Sequence, residues 1–461
     1  MTSKLNYKRT FFIGLAFLSI SAFWQMYDNI IPLMLQNTFG LGETVTGVLM
    51  AMDNVLALVL LPVFGALSDR VDTRLGKRTP FILGGTVLAV IFMMLLPLAD
   101  KKQSLVLFVA ALFATLLAMG LYRSPAVALM PDLTPNHLRS RANAVINLMG
   151  AVGGVYALIM IKLLVGAGDR PDYAPLFVSI AALMAIAVGV LMITIRERKL
   201  RRELLAAEGG KQEAGSGSEV EGRMQEAGSG SEVEGRMQAS VPAAETEEAR
   251  QQSAKAMLPR EVKRSMIFML ASIFLWFTAY NAVTTAFSRY TRVVWKMEGG
   301  SFANCLMVAT VAAIISYIPI GSISARFGRK KTIMGGVLVM AACYLGAIFV
   351  GQYHPAVNIA FALIGVGWAA INVNSYPMIV AMSQGGDIGK FTGTYYTFSM
   401  AAQIVTPILS GFLLENVSYK TLFPYALVFS LAAFLTMTQV RHGDVRPEKK
   451  ASVLENFDVD D

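Results

Sequence analysis

Two short stretches of sequence, one in each half of the chain, decide the fold class. GALSDR at residues 65–70 leads to GKR at residues 76–78, and GSISAR at residues 321–326 leads to GRK at residues 328–330. Each pair lies between two long apolar runs, at nearly the same distance into its own half of the chain. The sequence therefore predicts a duplicated membrane bundle, and bundles with such internal repeats usually move solutes.

The composition is typical of a chain that lies mostly within a bilayer. Hydrophobic residues make up 55% of the 461 residues, and charged residues only 15%. We therefore expect an all-α polytopic membrane protein with about twelve transmembrane helices in two pseudo-symmetric six-helix bundles. The predicted spans are residues 11–36, 44–67, 80–98, 104–130, 142–165, 173–195, 262–287, 301–322, 331–350, 356–382, 391–414 and 421–440.

The polarity of the sequence divides the chain into four parts, at residues 1–195, 196–260, 261–440 and 441–461. The first and third parts are the two expected bundles, the second is a linker and the fourth is a cytoplasmic tail. Within the linker, the 13-residue segment QEAGSGSEVEGRM at residues 212–224 is repeated without change at residues 225–237. Such low complexity predicts a disordered cytoplasmic tether, with a segment that docks a partner as the alternative.

Basic residues are distributed asymmetrically along the chain. Most of the 40 Lys and Arg fall in the amino terminus, the even-numbered loops, the linker and the tail, and a smaller group, including Arg289, Arg292 and Lys296, falls in the opposite loops. Because basic loops stay on the cytoplasmic side, both termini are expected to lie in the cytoplasm, with the chain in the plasma membrane. The net charge of +9 therefore reflects membrane topology and does not indicate nucleic-acid binding.

The sequence gives no support for a metal site, a disulfide or an enzyme. The two cysteines, Cys305 and Cys343, both fall within predicted spans, and the three histidines fall in loops or the tail. There is no phosphate-binding loop and no nucleophile motif. We expect neither a cofactor nor catalysis.

Three charged side chains, Asp28, Asp53 and Arg123, lie well inside predicted spans, away from the span ends. Each costs about 2.5 to 3.5 kcal/mol at mid-helix unless it faces a partner or water. A permanent ion pair that locks the helices together is one explanation, although buried ion pairs are a poor source of stability. A carboxylate whose access to water changes can load and release a proton, and a nearby guanidinium favours its charged form. We therefore expect Asp53 to carry the proton beside Arg123, and Asp28 to bind protons or substrate hydroxyls.

Aromatic and amide side chains recur at helical spacing along several spans. Flat aromatic rings fit the apolar faces of a sugar ring, and amides fit its hydroxyls. For any single residue, ordinary packing or hydrogen bonding between helices is the alternative. The candidate substrate-binding residues are Trp24, Gln25, Tyr27, Asn29, Asn143, Asn147, Trp276, Tyr280, Asn281, Thr284, Trp368, Asn372, Tyr376, Ser399 and Gln403.

The paired loops make the chain resemble the major facilitator superfamily over nearly all of its spans. In that family, acidic and basic residues of this loop form a charge network that holds one access state. The resemblance implies that Ala325, which stands where the first loop has Asp69, leaves the second loop without this latch. The gating-loop residues implied by the resemblance are Gly65, Asp69, Arg70, Gly76, Arg78, Arg326, Gly328 and Arg329.

Longer motifs narrow the resemblance. SDR at residues 68–70 followed by RLGKRTPFI at residues 74–82, and RSPA at residues 123–126 running to DLTP at residues 132–135, look like the sucrose and maltose proton symporters. The glycoside-pentoside-hexuronide cation symporters are a more distant likeness. The resemblance implies proton-driven import of a sugar, namely a di- or oligosaccharide glucoside. A sodium site of the melibiose-permease type would need a carboxylate one turn beyond Asp53, where Ala57 stands.

Two other classes of function stay open at this point. An exporter of drugs or metabolites would use proton antiport, and a larger, more apolar cavity would favour it. A non-transporting membrane sensor would need a signalling segment, for which the repetitive linker is the only candidate. For the symporter, the expected partners are a small solute, a proton and the lipid bilayer, and the chain is expected to be a monomer.

Overall fold

A computed structural model describes residues 5–135, 138–168, 170–204, 259–382 and 388–444. Within these ranges, twelve helices are long and apolar enough to cross a membrane, as expected. The first six are α1 (Tyr7–Asn37), α2 (Glu43–Arg70), α3 (Thr79–Lys101), α4 (Leu105–Asp132), α5 (Arg139–Leu164) and α6 (Ala174–Thr194). The second six are α7 (Arg260–Val293), α8 (Ala303–Phe327), α9 (Arg329–Ile348), α10 (Val357–Met382), α11 (Ile388–Asn416) and α12 (Leu422–Thr438).

The helices form two lobes with the same internal packing, the N-lobe of α1 to α6 and the C-lobe of α7 to α12. In the N-lobe, α1 packs against α5 and α6, and α4 packs against α2 and α3. In the C-lobe, the corresponding helices do the same, because α7 packs against α11 and α12, and α10 packs against α8 and α9. The lobes meet along three helix pairs, α2 with α11, α5 with α8, and α1 with α7. The duplication seen in the two loops is therefore a duplication of the whole packing pattern.

Helices are the required secondary structure for these apolar runs, because lipid offers no hydrogen-bond partners to an open backbone. Local capping sets several of their ends. Asn6 accepts the N–H of Arg9 at the start of α1, and Ser104 accepts the N–H of Leu107 at the start of α4. Gly328, at a φ of 92°, allows the sharp turn between α8 and α9.

The polar linker and one helix end differ from the sequence expectation. Residues 197–204, at the start of the expected tether, are helical, and the tandem repeat lies outside the described residues. Helix α7 continues to Val293, six residues past the predicted end of its span. Arg289, expected in a loop, is therefore part of a transmembrane helix.

The two ends of the bundle differ in the loops and chain ends that they hold. The termini end holds the start of α1, the end of α12 and the two GALSDR-type loops, and the far end is the opposite one. Between them, the outer surface exposes large apolar side chains such as Ile186, Ile193 and Val428. An exposed apolar surface of this kind fits contact with lipid tails. The chain is an integral membrane protein.

Candidate functional site

A cavity with two arms lies between the lobes. The first arm, about 650 Å³ in volume, is lined by residues of α2, α4, α7 and α11 and is called the α2–α11 arm. The second, about 520 Å³, is lined mainly by α1, α4, α5, α7, α8 and α10 and is called the α5–α8 arm. Arg123, Val127 and Tyr396 border both arms. The arms therefore meet at the centre of the lobe interface.

The N-lobe wall of the α5–α8 arm carries a positive charge among amides. The guanidinium carbon of Arg123 lies 5.7 Å from the centroid of the Trp24 ring, which is a cation–π distance. Gln25 of α1 and Asn147 of α5 line the same wall. This wall therefore offers a cation and amide groups to a ligand.

The C-lobe wall carries a flat aromatic platform. The rings of Tyr280 and Trp368 are stacked with centroids 3.7 Å apart and planes 2° apart. Phe277 meets Trp368 edge-on at 5.3 Å, and Asn372 lies along the same arm. A platform of two stacked rings with an amide nearby can bind a ring that has one apolar face and a polar rim.

Two N–H donors that line the cavity lack a protein acceptor within the described residues. They are Nε1 of Trp24 and Nδ2 of Asn281. A buried donor without a partner costs about 1 to 3 kcal/mol. Both nitrogens are themselves buried, so a polar ligand in the cavity could bind them only after the two side chains reorient.

The three charges inside the spans are brought together, as the sequence indicated. Asp53 accepts hydrogen bonds from the N–H of Asn54 at 2.6 Å and from its Nδ2 at 2.7 Å. Arg123 and Asp28 each interact electrostatically with Asp53. The carboxylates of α1 and α2 thus share one neighbourhood with the guanidinium of α4, next to the cavity that Arg123 lines.

Most of the predicted substrate-binding residues lie on the cavity wall, and some do not. Tyr27 and Trp276 are each 1% exposed and are packed in the core. Asn29 donates Nδ2 to the carbonyl of Gln25, and Tyr376 shares a hydrogen bond with Thr392. Thr284 donates to backbone carbonyls of its own helix. The predicted residues that do line the cavity are Trp24, Gln25, Asn143, Asn147, Tyr280, Asn281, Trp368, Asn372, Ser399 and Gln403.

The sequence reasoning missed several lining residues. Asn54 stands directly after Asp53, and no helical repeat of amides marks it as a lining residue. Phe277 precedes Tyr280 by three residues, a spacing that puts both on one helix face. Tyr317 and Tyr396 had no periodic pattern to mark them. These four side chains extend the aromatic and amide character of the cavity.

The first gating loop forms a charge network around Arg78. This side chain is buried, forms an ion pair with Asp69, and donates Nε to Asp132 of α4 at 2.8 Å. Its Nη1 also donates to the carbonyl of Gly65 at 3.3 Å. Arg70 is exposed. The contacts join the termini-end tips of α2, α3 and α4 within the N-lobe.

A buried carboxylate that follows α6 supports the same loop. Glu197 is 1% exposed and accepts the backbone N–H groups of Lys77 at 2.7 Å and Thr79 at 2.8 Å. Gly76 has a φ of 123°, and a Cβ there would lie 2.3 Å from Glu197. The turn therefore requires glycine at this position.

The second gating loop has different contacts. Ala325 has no charge to offer, Arg326 is exposed, and Arg329 is half-buried. Asp444, which follows α12, accepts the N–H of Lys330 at 3.1 Å. A carboxylate after the last helix of each lobe thus binds backbone N–H groups at the turn of that lobe's gating loop.

At the far end, the lobes are joined by a buried ion pair. Glu43 of α2 is 3% exposed, and Arg289 of α7 is 5% exposed. Arg289 donates Nε to Glu43 at 2.7 Å and Nη1 to the carbonyl of Thr285 at 2.8 Å. Tyr419 donates its hydroxyl to the other oxygen of Glu43 at 2.6 Å. The Glu43 carboxylate therefore connects three helical segments across the lobe interface.

The same end is closely packed around this pair. The N–H of Thr44, at the start of α2, donates to the exposed carboxylate of Glu415 on α11 at 2.8 Å. A Cβ on Gly47 would lie 2.1 Å from the carbonyl oxygen of Pro407, so α2 and α11 are in backbone contact there. The cavity, by contrast, includes Pro131 and Asn143, which lie in the termini-end half of α4 and α5.

Curated relatives match short segments of the chain. Sucrose transport protein SUC3 of Arabidopsis thaliana is 26% identical over 151 residues, which is 29% of this chain and 25% of that protein. An uncharacterized symporter of Synechocystis, sll1374, is 28% identical over 150 residues, covering 30% and 27% of the two chains. Chloramphenicol resistance protein CraA of Acinetobacter baumannii is 30% identical over 100 residues, covering 22% and 24%. The matched segments thus span about a quarter of these relatives.

Solved structures match over almost the whole chain. The peptide transporter POT in complex with sulfate superposes with a TM-score of 0.63 at 13% identity, covering 94% of both chains. A mutant of the nucleoside transporter NupG superposes with a TM-score of 0.65 at 13% identity, covering 95% of this chain and 100% of the other. At such low identity these likenesses establish the fold alone.

The sequence profile of the Major Facilitator Superfamily matches residues 13–315 and 296–456. These ranges cover both lobes, and the two structural neighbours are transporters, not enzymes. The chain belongs to the Major Facilitator Superfamily.

Proposed function

We propose that the protein imports a sugar, of the di- or oligosaccharide glucoside class, together with a proton. The observation that carries the proposal is the composition of the central cavity. An aromatic platform, Tyr280 and Trp368, lies on the C-lobe wall, whereas Arg123 and amides line the N-lobe wall. The half-buried Asp53 carboxylate lies within electrostatic range of that arginine.

The cavity chemistry favours a sugar over other small solutes. A pyranose ring presents C–H groups on its faces, which suit stacked aromatic rings, and hydroxyls on its rim, which suit amides. Asn143, Asn147 and Asn372 supply amides in the α5–α8 arm, and Asn281 and Gln403 supply them in the α2–α11 arm. Two arms that meet at Arg123 leave room for more than one ring. The similarity to a sucrose transport protein points in the same direction.

Proton coupling rests on the charges beside the cavity. Two carboxylates, Asp28 and Asp53, share one neighbourhood with a single guanidinium. Ionising both would leave an uncompensated negative charge in an apolar surrounding, which is costly. Binding one proton removes that excess. A proton loaded from one side and released to the other can therefore drive the solute.

Alternating access would come from rocking one lobe against the other around this cavity. The far end is closed by the Glu43–Arg289 pair, and the cavity reaches residues of the termini-end half. If the basic loops lie in the cytoplasm, this arrangement corresponds to the inward-facing state. In the outward-facing state, the Glu43–Arg289 contact would be broken.

An exporter of apolar compounds is the second candidate. The α2–α11 arm includes Ala57, Leu58, Leu61, Phe277 and Met400, an apolar wall that suits a hydrophobic solute. A segment of the chain also resembles a chloramphenicol resistance protein. The aromatic platform and the amides favour the sugar, because an apolar solute would leave the amides unpaired.

Sugar-induced alkalinisation of a lightly buffered cell suspension tests the proposal. Cells that express the protein receive a panel of mono-, di- and oligosaccharides under energised conditions. Import with protons is expected to raise the external pH for at least one di- or oligosaccharide and not for cells that carry the empty vector. No rise with any sugar, together with drug efflux, would support the exporter instead.

Removal of the aromatic platform is expected to weaken sugar binding. Trp368→Leu replaces a flat ring by a branched chain and forfeits about 1.5 to 3 kcal/mol of apolar contact with the sugar face, so the half-saturating sugar concentration should rise about tenfold to a hundredfold. Trp368→Phe retains a ring, so its half-saturating sugar concentration should fall between those of the native protein and Trp368→Leu. Trp276→Phe, in the buried core one turn before Tyr280 on α7, is the matched control and should leave the half-saturating concentration near its native value. An unchanged value in Trp368→Leu would remove the platform from the binding site.

A further inference from the structure

Asn54 contacts both the carboxylate of Asp53 and the cavity. Its backbone N–H and its Nδ2 both donate to Oδ1 of Asp53, at 2.6 Å and 2.7 Å. Asn54 also lines the α2–α11 arm, whereas Asp53 is absent from the described lining of either arm. A solute in that arm can therefore contact Asn54 next to the Asp53 carboxylate.

The amide of Asn54 has more hydrogen-bonding capacity than Asp53 uses. A carboxamide has two N–H donors and one carbonyl oxygen, and Asp53 takes one of the donors. The residue is half-buried, so the second donor and the carbonyl are available to a hydroxyl in the cavity. One side chain can thus bind a solute and the carboxylate at the same time.

Protonation of Asp53 changes the hydrogen-bonding role of its carboxyl group toward Asn54. An ionised carboxylate only accepts hydrogen bonds, whereas a protonated one also donates through its O–H. With Asp53 ionised, the amide donates Nδ2 to it. With Asp53 protonated, the amide can turn and accept the new O–H through its carbonyl oxygen. The turn changes which group of Asn54 faces the cavity, a carbonyl in one state and an N–H₂ group in the other.

We propose that Asn54 is the positioning residue that couples solute binding to proton binding, by turning its amide according to the protonation state of Asp53. The inference rests on the proposed sugar and proton symport. A sugar hydroxyl that prefers one amide orientation binds more tightly when Asp53 is in the matching state. By linkage, the sugar then raises the affinity of Asp53 for its proton by the same factor.

The other groups around Asp53 act differently. Arg123 of α4 and Asp28 of α1 act on it through their charge, and Tyr27 of α1 lies within range of both carboxylates. Helix α11 packs along α2 and has no acidic or basic residue from 391 to 414, although it contributes Tyr395 and Tyr396 to the arm. Asn54 touches both the carboxylate and the cavity through hydrogen-bonding groups.

The experiment measures the apparent sugar affinity as a function of pH in vesicles, by counterflow with no imposed gradient. For the native protein, the affinity is expected to change about 5- to 150-fold between the two protonation states, the range typical of coupled sites. Asn54→Leu should bring this change below about threefold. Asn54→Ser, whose hydroxyl can both donate and accept, should retain part of it. Gln403→Leu, a lining amide on α11, is the matched control and should weaken binding equally at every pH.

The outcomes separate the inference from the function on which it rests. If the native protein shows no pH-dependent affinity for any sugar, both fail. If the native dependence is clear and Asn54→Leu keeps it, or only shifts the whole curve as Gln403→Leu does, the coupling role of Asn54 is wrong and the symport proposal stands. Asn54→Ala, a smaller change without hydrogen-bonding groups, provides the same test should Asn54→Leu fail to reach the membrane.

Discussion

Replacement of Asp53 by Asn is expected to abolish uphill accumulation of sugar while leaving sugar exchange measurable. Asn has the shape of Asp but cannot bind a proton, so a pH gradient would no longer drive transport. Exchange moves no net proton and needs only the rocking of the lobes. In vesicles with one unit of imposed pH difference, accumulation should fall from a limit of about tenfold for one coupled proton to equality of the two sides.

Two further variants define the role of Asp53. Asp172→Asn is the matched control. This carboxylate lies in the loop before α6, pairs with Lys101 at the end of α3, and has a side chain that is 54% exposed. Its accumulation should equal that of the native protein. Asp28→Asn tests the neighbouring carboxylate. Full accumulation by Asp53→Asn, with loss of accumulation in Asp28→Asn, would assign the proton to Asp28 instead.

Replacement of Glu43 by Gln is expected to open the far end of the transporter. The change leaves Arg289 charged and without its carboxylate while the far end stays closed, which costs about 3 kcal/mol or more. When the lobes separate at the far end, water can hydrate the Arg289 guanidinium and remove this cost. A 3 kcal/mol penalty corresponds to about a hundredfold shift in the equilibrium between closed and open far ends.

The shift is measurable as a distance between spin labels at Lys102 and Val417, exposed positions on the two lobes at the far end. Glu43→Gln should lengthen the distance distribution. Glu415→Gln is the matched control, because that carboxylate is exposed and its loss should have little effect. The double variant Glu43→Gln with Arg289→Gln should return toward the native distribution, since no buried charge is left. A native distribution in Glu43→Gln alone would show that the pair does not hold the lobes together.

Hydropathy located the spans, and the paired loop motifs between them indicated the duplication. Lipid satisfies no backbone hydrogen bonds, so each apolar run of sufficient length becomes a helix wherever it stands in the chain. The grouping of Asp28, Asp53 and Arg123 was also predictable, because isolated charges within an apolar bundle need each other or water. Both inferences depend on the energy of a residue in lipid, which is a local property.

Helical spacing was less informative about the binding residues. Trp276 and Tyr280 are four residues apart and therefore share a face of α7. Yet Trp276 is buried in the core, while Tyr280 lines the cavity against Trp368. Within a bundle, one helix face can pass from the core to the cavity along its length, and the sequence does not mark the point at which this happens.

By itself, the sequence determined that this chain is a twice-repeated six-helix membrane bundle with charges inside the spans of its first half. Whether a segment prefers lipid or water depends on its own residues, so this much can be read from the sequence. Only the tertiary structure decided that Glu43 and Arg289, 246 positions apart, close the far end, and that Asn54 lines the cavity while it donates to Asp53. Those contacts depend on how the two lobes pack against each other, and no local pattern records the geometry of that packing.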